Sequence, residues 1–123
     1  MNKEFVPYEL ALKLRELGFN EECIAYYDLR NDLEFYGGDN LKDTHCVQLN
    51  TPLFQQAFRW FREKHDHWQI VMQNTDIDWT YDILPINGIV DYNLFDIFPT
   101  YEDAEFACLE KLIEIIETKQ QEP

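Results

Sequence analysis

Few residues of this chain have types and spacings that could carry chemistry. His65-Asp66-His67 offers two imidazoles and a carboxylate, with His45 as a further candidate, and such a set could hold a transition metal. The spacing argues against it: an H-x-H at a helix end is not the H-E-x-x-H arrangement, and no second ligand cluster follows. A cationic His65, favoured by the negative end of a helix dipole, is the simpler expectation. Asp76-x-Asp78 with Asp82 resembles the start of a calcium loop. The glycine and the distal glutamate are missing, so these read as turn and strand-surface carboxylates. His45-Cys46 sets a base beside a nucleophile in sequence only, because adjacent strand residues point to opposite faces. The chain has no GxSxG, phosphate loop or dinucleotide fingerprint. The sequence therefore predicts no catalytic residue, no cofactor and no metal, with His65 and His67 the weak metal candidates, and a protein that is not an enzyme.

Glu105 is the sharper case. At 100° per residue it projects between Tyr101, Cys108 and Leu112, inside an apolar helix face. Its carboxylate either leaves the core near the helix start, or is buried and paired with a cation such as Arg59 or Arg62 or with a tyrosine hydroxyl. A ligand-facing carboxylate is the third option. The aromatic set Tyr26, Tyr27, Tyr36, Trp68, Trp79, Tyr81 and Tyr92 exceeds what one small core can enclose with every polar tip satisfied. Some are therefore expected on the second face of a sheet. Tyr8, Leu12, Tyr26, Tyr36, Trp79 and Tyr81 form the candidate interaction surface, against the plainer reading of strand tyrosines that simply face water.

The elements that position these residues read as follows. Residues 51–65 form an amphipathic helix, with Thr51 as its cap and Pro52 at its first position. Leu53, Phe54, Ala57, Phe58, Trp60 and Phe61 share one face, which must be covered, so a sheet is expected against it. An earlier helix runs from about Pro7 to Leu17 and stops at Gly18-Phe19. Leu10, Leu14 and Leu17 line its inner side, Tyr8 and Leu12 the other. Residues 23–29 and 33–36 read as strands around the turn Arg30-Asn31-Asp32, and Gly37 to Asn40 break the pattern. A short strand is expected around His45 to Leu49. Trp68, Ile70 and Met72 alternate onto one face, as do Trp79, Tyr81 and Ile83, which predicts an antiparallel hairpin turning at Asn74 to Asp76. Pro85 and Asn87-Gly88 interrupt it, and 89–98 fits an edge strand or an ordered loop. Thr100 caps a final helix over about 101–119, with Asp103 at the capping-box position and 120–123 frayed. The expected fold is α+β: one domain over residues 1–123, three helices around a small antiparallel sheet of three to five strands.

At 123 residues the chain can bury about two-thirds of its unfolded surface, enough for a core without metals or disulfides. Cys23, Cys46 and Cys108 are widely spaced and form no CxxC pair, which suits reduced thiols and a cytoplasmic setting. No apolar run is long enough to span a membrane, and no signal peptide is expected. The net charge is −14. Only residues 52–68 are net basic, and no Lys or Arg lies between Lys64 and Lys111. Such a field repels phosphates and anionic lipid, so direct nucleic-acid binding and membrane binding are not expected.

The segments Phe5 to Phe19 (FVPYELALKLRELGF), Thr51 to His65 (TPLFQQAFRWFREKH) and Thr100 to Glu114 (TYEDAEFACLEKLIE) together carry a resemblance. The chain is similar to a family of short acidic proteins encoded in Bacteroides-type bacteria and in their phages and mobile elements. The resemblance covers all three helices and implies a bacterial cytosolic or infected-cell setting. The family has no assigned activity, so no site residue is carried over. The leading functional expectation is a non-catalytic interaction or regulatory module that binds a protein partner or itself. An acidic mimic of DNA that occupies a DNA-binding protein is the alternative, and a small-ligand or metal-binding domain the third.

Overall fold

The computed structural model describes residues 2–37, 47–85 and 96–121. The fold is α+β. Its helices are α1 (Tyr8–Glu16), α2 (Phe54–His65) and α3 (Tyr101–Gln121). Its strands are β1 (Ala25–Asp28), β2 (Leu33–Phe35), β3 (Val47–Thr51), β4 (His67–Thr75) and β5 (Asp78–Pro85). The strands form two antiparallel sheets rather than one, ordered β2-β1-β3 and β4-β5. The Cα packing divides the chain into units Met1–Gln56 and Ala57–Pro123, with the boundary inside α2. The expectations for His45, Cys46, Tyr92, Gly38 to Asn40, Asn87-Gly88 and the bulk of 89–98 lie outside the described residues.

In the first unit, α1 buries Leu10, Ala11 and Leu14. It ends as its sequence requires: Gly18 takes φ +107°, its N–H bonds to the Arg15 carbonyl, and the Phe19 N–H reaches the Leu14 carbonyl. That pair of bonds is the Schellman stop, and a residue with a Cβ would resist the φ it needs. β1 and β2 join through a turn built on Asp28, whose carboxylate accepts from the backbone N–H groups of Arg30 (2.8 Å) and Asp32 (3.0 Å). These bonds hold the Asp28 carboxyl below its usual range, the Asp32 bond acting most strongly.

The expected start of α2, with Pro52 at its first position, is early by two residues. Thr51 does not cap the helix. It closes β3, and its hydroxyl donates to the Val6 carbonyl at 2.6 Å, while the Val6 N–H bonds to the Pro52 carbonyl. A long-range bond outcompetes the local cap, and α2 begins only at Phe54. Its aromatic ridge is buried as expected: Phe54, Ala57, Phe58, Trp60 and Phe61 all lie in the core.

In the second unit, α3 starts on Thr100, whose hydroxyl accepts the Asp103 N–H at 3.1 Å. It packs on β5 and β4, and its inner face runs from Ala104 through Cys108, Leu109 and Leu112 to Ile116. The hairpin β4-β5 turns at Asp76-Ile77, close to the expected place. Gln73 faces Trp79, whereas Thr75 faces Asp78, so Asn74 is an extra residue in β4. Asp78 Oδ1 holds that bulge, accepting from Asn74 Nδ2 (3.1 Å) and the Thr75 hydroxyl (2.7 Å). Replacing Asp78 with alanine should lower stability in urea unfolding by about 1 kcal/mol. The same change should speed amide exchange at the turn end of β5 relative to α3.

Candidate interaction surface

The bulge at Asn74 decides which side chains the hairpin shows. Across the strands Val71 faces Tyr81 and Gln69 faces Ile83, while Met72 faces Thr80, Ile70 faces Asp82 and Trp68 faces Leu84. Tyr81 and Ile83 are buried, so the first set is the inner one. The second set is therefore the outer face, and it is apolar: Trp68 is 50% exposed, Ile70 44% and Leu84 43%, with Ile77 81% exposed at the turn. The shared face expected for Trp68, Ile70 and Met72 is real, but it points to solvent and away from the face of Tyr81 and Ile83.

The base of this face is held from α2. Arg62 Nη1 donates to Gln69 Oε1 at 3.0 Å, which satisfies a polar side chain on the inner set. Its guanidinium also lies 5.1 Å from the Trp68 ring centroid, a cation–π distance that fixes the exposed indole. Asp82 belongs to the outer set beside Ile70, and its Oδ1 is buried with no hydrogen-bond partner among the described residues. A partner with apolar side chains would complement the exposed Trp68, Ile70 and Leu84.

Of the surface residues chosen from sequence, two are core. Tyr26 and Tyr81 are buried, and burial pushes the Tyr81 hydroxyl up to about 12. Tyr8 is half-buried, stacked edge-on to Tyr27 at 5.6 Å and accepting from Gln48 Nε2 at 2.9 Å. Trp79 is half-buried and meets the Tyr101 ring edge-on at 5.4 Å. Leu12 is half-buried, and Tyr36 stays 40% exposed with its hydroxyl donating to Asn50 Oδ1. Tyr8, Leu12, Tyr26 and Tyr36 belong to the first unit and Trp79 and Tyr81 to the second. Trp68 belongs to the aromatic set expected in part on a second sheet face, whereas Ile70 and Leu84 are missed by the sequence reading, because alternation alone does not say which face is inner.

Glu105 is buried, and the Tyr101 hydroxyl donates to its Oε2 at 2.9 Å from one turn earlier. Burial and that bond push the Tyr101 hydroxyl up to about 12, and burial raises the Cys108 thiol further still. Cys23 is raised to about 11 by burial and by Glu21, so neither thiol ionises near neutrality. His65 departs from the cationic expectation. Its ring packs against Trp60 (4.8 Å) and Phe61 (5.7 Å), and this burial, reinforced by the neighbouring His67 and Lys119, lowers its pKa. His67 is fully buried, with Nδ1 2.6 Å from the His65 carbonyl; a carbonyl can only accept, so Nδ1 carries the proton. No cluster of three His, Cys, Asp or Glu side chains fit for a metal occurs among the described residues. Among the same residues no helix is long and apolar enough to cross a membrane. A cleft of about 250 Å³ in the first unit lies between Ala11, Arg15, Phe19, Asn20 and Leu49, open and without buried polar groups aimed into it.

No protein-family model matches the chain, and comparison with curated proteins and with solved structures gives no match.

Two outcomes follow from the buried polar groups. Tyr101→Phe takes a donor from a buried carboxylate and should cost about 1–3 kcal/mol in denaturant unfolding. His65 binds a proton less tightly folded than unfolded. As pH falls below its ordinary 6.5 the unfolded chain gains that proton first, so stability drops. His65→Gln should flatten the stability profile between about pH 7 and 5, read by thermal melts across that range.

Proposed function

We propose that this protein is a non-catalytic interaction module of a bacterial phage or other mobile element, working in the cytoplasm by holding a protein on the outer face of β4-β5. One observation carries the reading: Trp68, Ile70 and Leu84 lie half-exposed on a single hairpin face whose indole is fixed from behind by Arg62. Large apolar side chains that give up water on docking stabilise a complex by about 1 kcal/mol or more each, and a held tryptophan loses little freedom in doing so.

The acidic-mimic reading rests on Asp103, Glu110, Glu114 and Glu117, which follow one side of α3. At 1.5 Å rise per residue they average one carboxylate per about 7 Å. A duplex carries one charge per about 1.7 Å, so the row is roughly a quarter as dense. Lys111 also pairs with Glu114 at 3.3 Å. Density therefore favours the apolar face.

A photoreactive benzoylphenylalanine in place of Ile70 should cross-link a protein in cells. The cross-link should fall at least about ten-fold when Trp68→Ala is added. The same probe at Glu110 should give none. Cross-linking from position 110 but not from position 70 would transfer the function to the acidic helix, and none from either would end both readings.

A further inference from the structure

The second sheet has two edges, and they differ. Trp79 and Phe98 exchange backbone bonds in both directions at 2.8 Å, so the edge of β5 is taken there. This exchange also fixes the orientation of β4. The N–H and C=O of Trp79 point away from β4, which makes Gln73 and Trp79 a pair without mutual bonds. The N–H and C=O of Gln73 then point away from β5, and so by alternation do those of Val71 and Gln69. Among the described residues β4 pairs with no strand but β5, which leaves these groups along a free edge.

That edge carries no charge or proline to block pairing, and its bulge, at Asn74, lies beyond Gln73. Natural edges carry lysines, prolines or inward charges. β4 reads HWQIVMQNT, with no Asp, Glu, Lys, Arg or Pro, in a chain of net charge −14. We propose that β4 pairs antiparallel with β4 of a second copy of this chain about a two-fold axis at Val71, joining two hairpins into one four-stranded sheet. The occupant is argued from self-complementarity. In that register Val71 meets Val71 and Gln69 meets Gln73, and each such pair exchanges two N–H···O bonds using only the outward groups. On the other face Ile70 meets Met72, so the apolar surface runs across the axis without a like-charge contact. Any foreign acidic strand would have to bring its charges to this strip, and a second copy brings none.

This inference deepens the interaction reading and rests on it, naming the partner and the backbone edge beside the apolar face. Sedimentation equilibrium of the full chain at about 100 μM should give twice the 14.8 kDa monomer mass. The Val71 N–H makes no bond to β5, so Val71→Pro should leave the circular dichroism intact and weaken the dimer at least about ten-fold. Register is tested by charge. Gln69→Lys with Gln73→Lys should also weaken the dimer about ten-fold, and Gln69→Glu with Gln73→Lys should restore it. If Val71→Pro fails to fold, the charge pairs decide alone. A monomer at this concentration, a larger open assembly, or a dimer indifferent to all three variants would overturn the pairing. A monomer that still cross-links another protein from position 70 would leave the interaction reading standing without it.

Discussion

One extra residue, Asn74, governs the second unit. Without it Met72 and Ile70 would lie across from Tyr81 and Ile83, and the apolar residues of both strands would share the face toward α3. With it Val71 and Gln69 take those places, and Trp68, Ile70 and Met72 turn outward. Because side chains alternate with period two, a one-residue shift exchanges the two faces completely. The structure supports the shifted arrangement from both ends. At the turn, Asp78 gathers the side chains of Asn74 and Thr75. At the start of β4, Asp66 adopts φ +57° in a one-residue link from α2, and the His67 imidazole bonds back to the His65 carbonyl. A polar residue turned inward needs a partner, and Gln69 receives one from Arg62.

Much of the architecture could be read in the sequence, and the parts that could not have identifiable causes. Gly18-Phe19 and Thr100 set helix ends by local chemistry, so the stop of α1 and the start of α3 fell where expected. The buried ridge of Phe58, Trp60 and Phe61 followed from helical period. Thr51 misled because its hydroxyl is claimed by Val6, a residue 45 positions away, and no local rule sees that competition. The hairpin lies where expected and the shared face within each strand holds; which face is inner cannot be read, since a bulge leaves alternation within each strand unchanged while breaking it between them. Tyr26 and Tyr81 were assigned to a surface because tyrosine tolerates both settings, and composition could not choose between them. Burial of Glu105 is readable as one option from its place inside the apolar face of α3; that the tyrosine reaching it is Tyr101, one turn earlier, is not.

The charge pattern acquires a structural sense once the faces are known. Every residue from His67 to Thr75 lacks a formal charge, yet this strip lies in a chain carrying 24 acids. Screening shortens the reach of that field to about 8–10 Å at ordinary ionic strength. At longer range copies of the chain repel one another, which opposes unspecific clustering of exposed Trp68, Ile70 and Leu84. At contact range a neutral strip such as β4 costs less to approach than an acidic surface. The same device therefore protects the apolar face and directs what may reach it.

An exposed strand edge beside an apolar face is ordinarily an aggregation hazard, because each strand added offers the next a new edge. Growth of that kind needs two open edges per molecule. Here the outward backbone groups of Trp79 on β5 are already bound to Phe98, which interrupts the second edge of the hairpin at that residue. Two-fold pairing would use the same edge on both copies, so a paired β4 would offer no place to a further strand. The bridge at Trp79 thus stands on the one edge of the hairpin that such pairing would leave open.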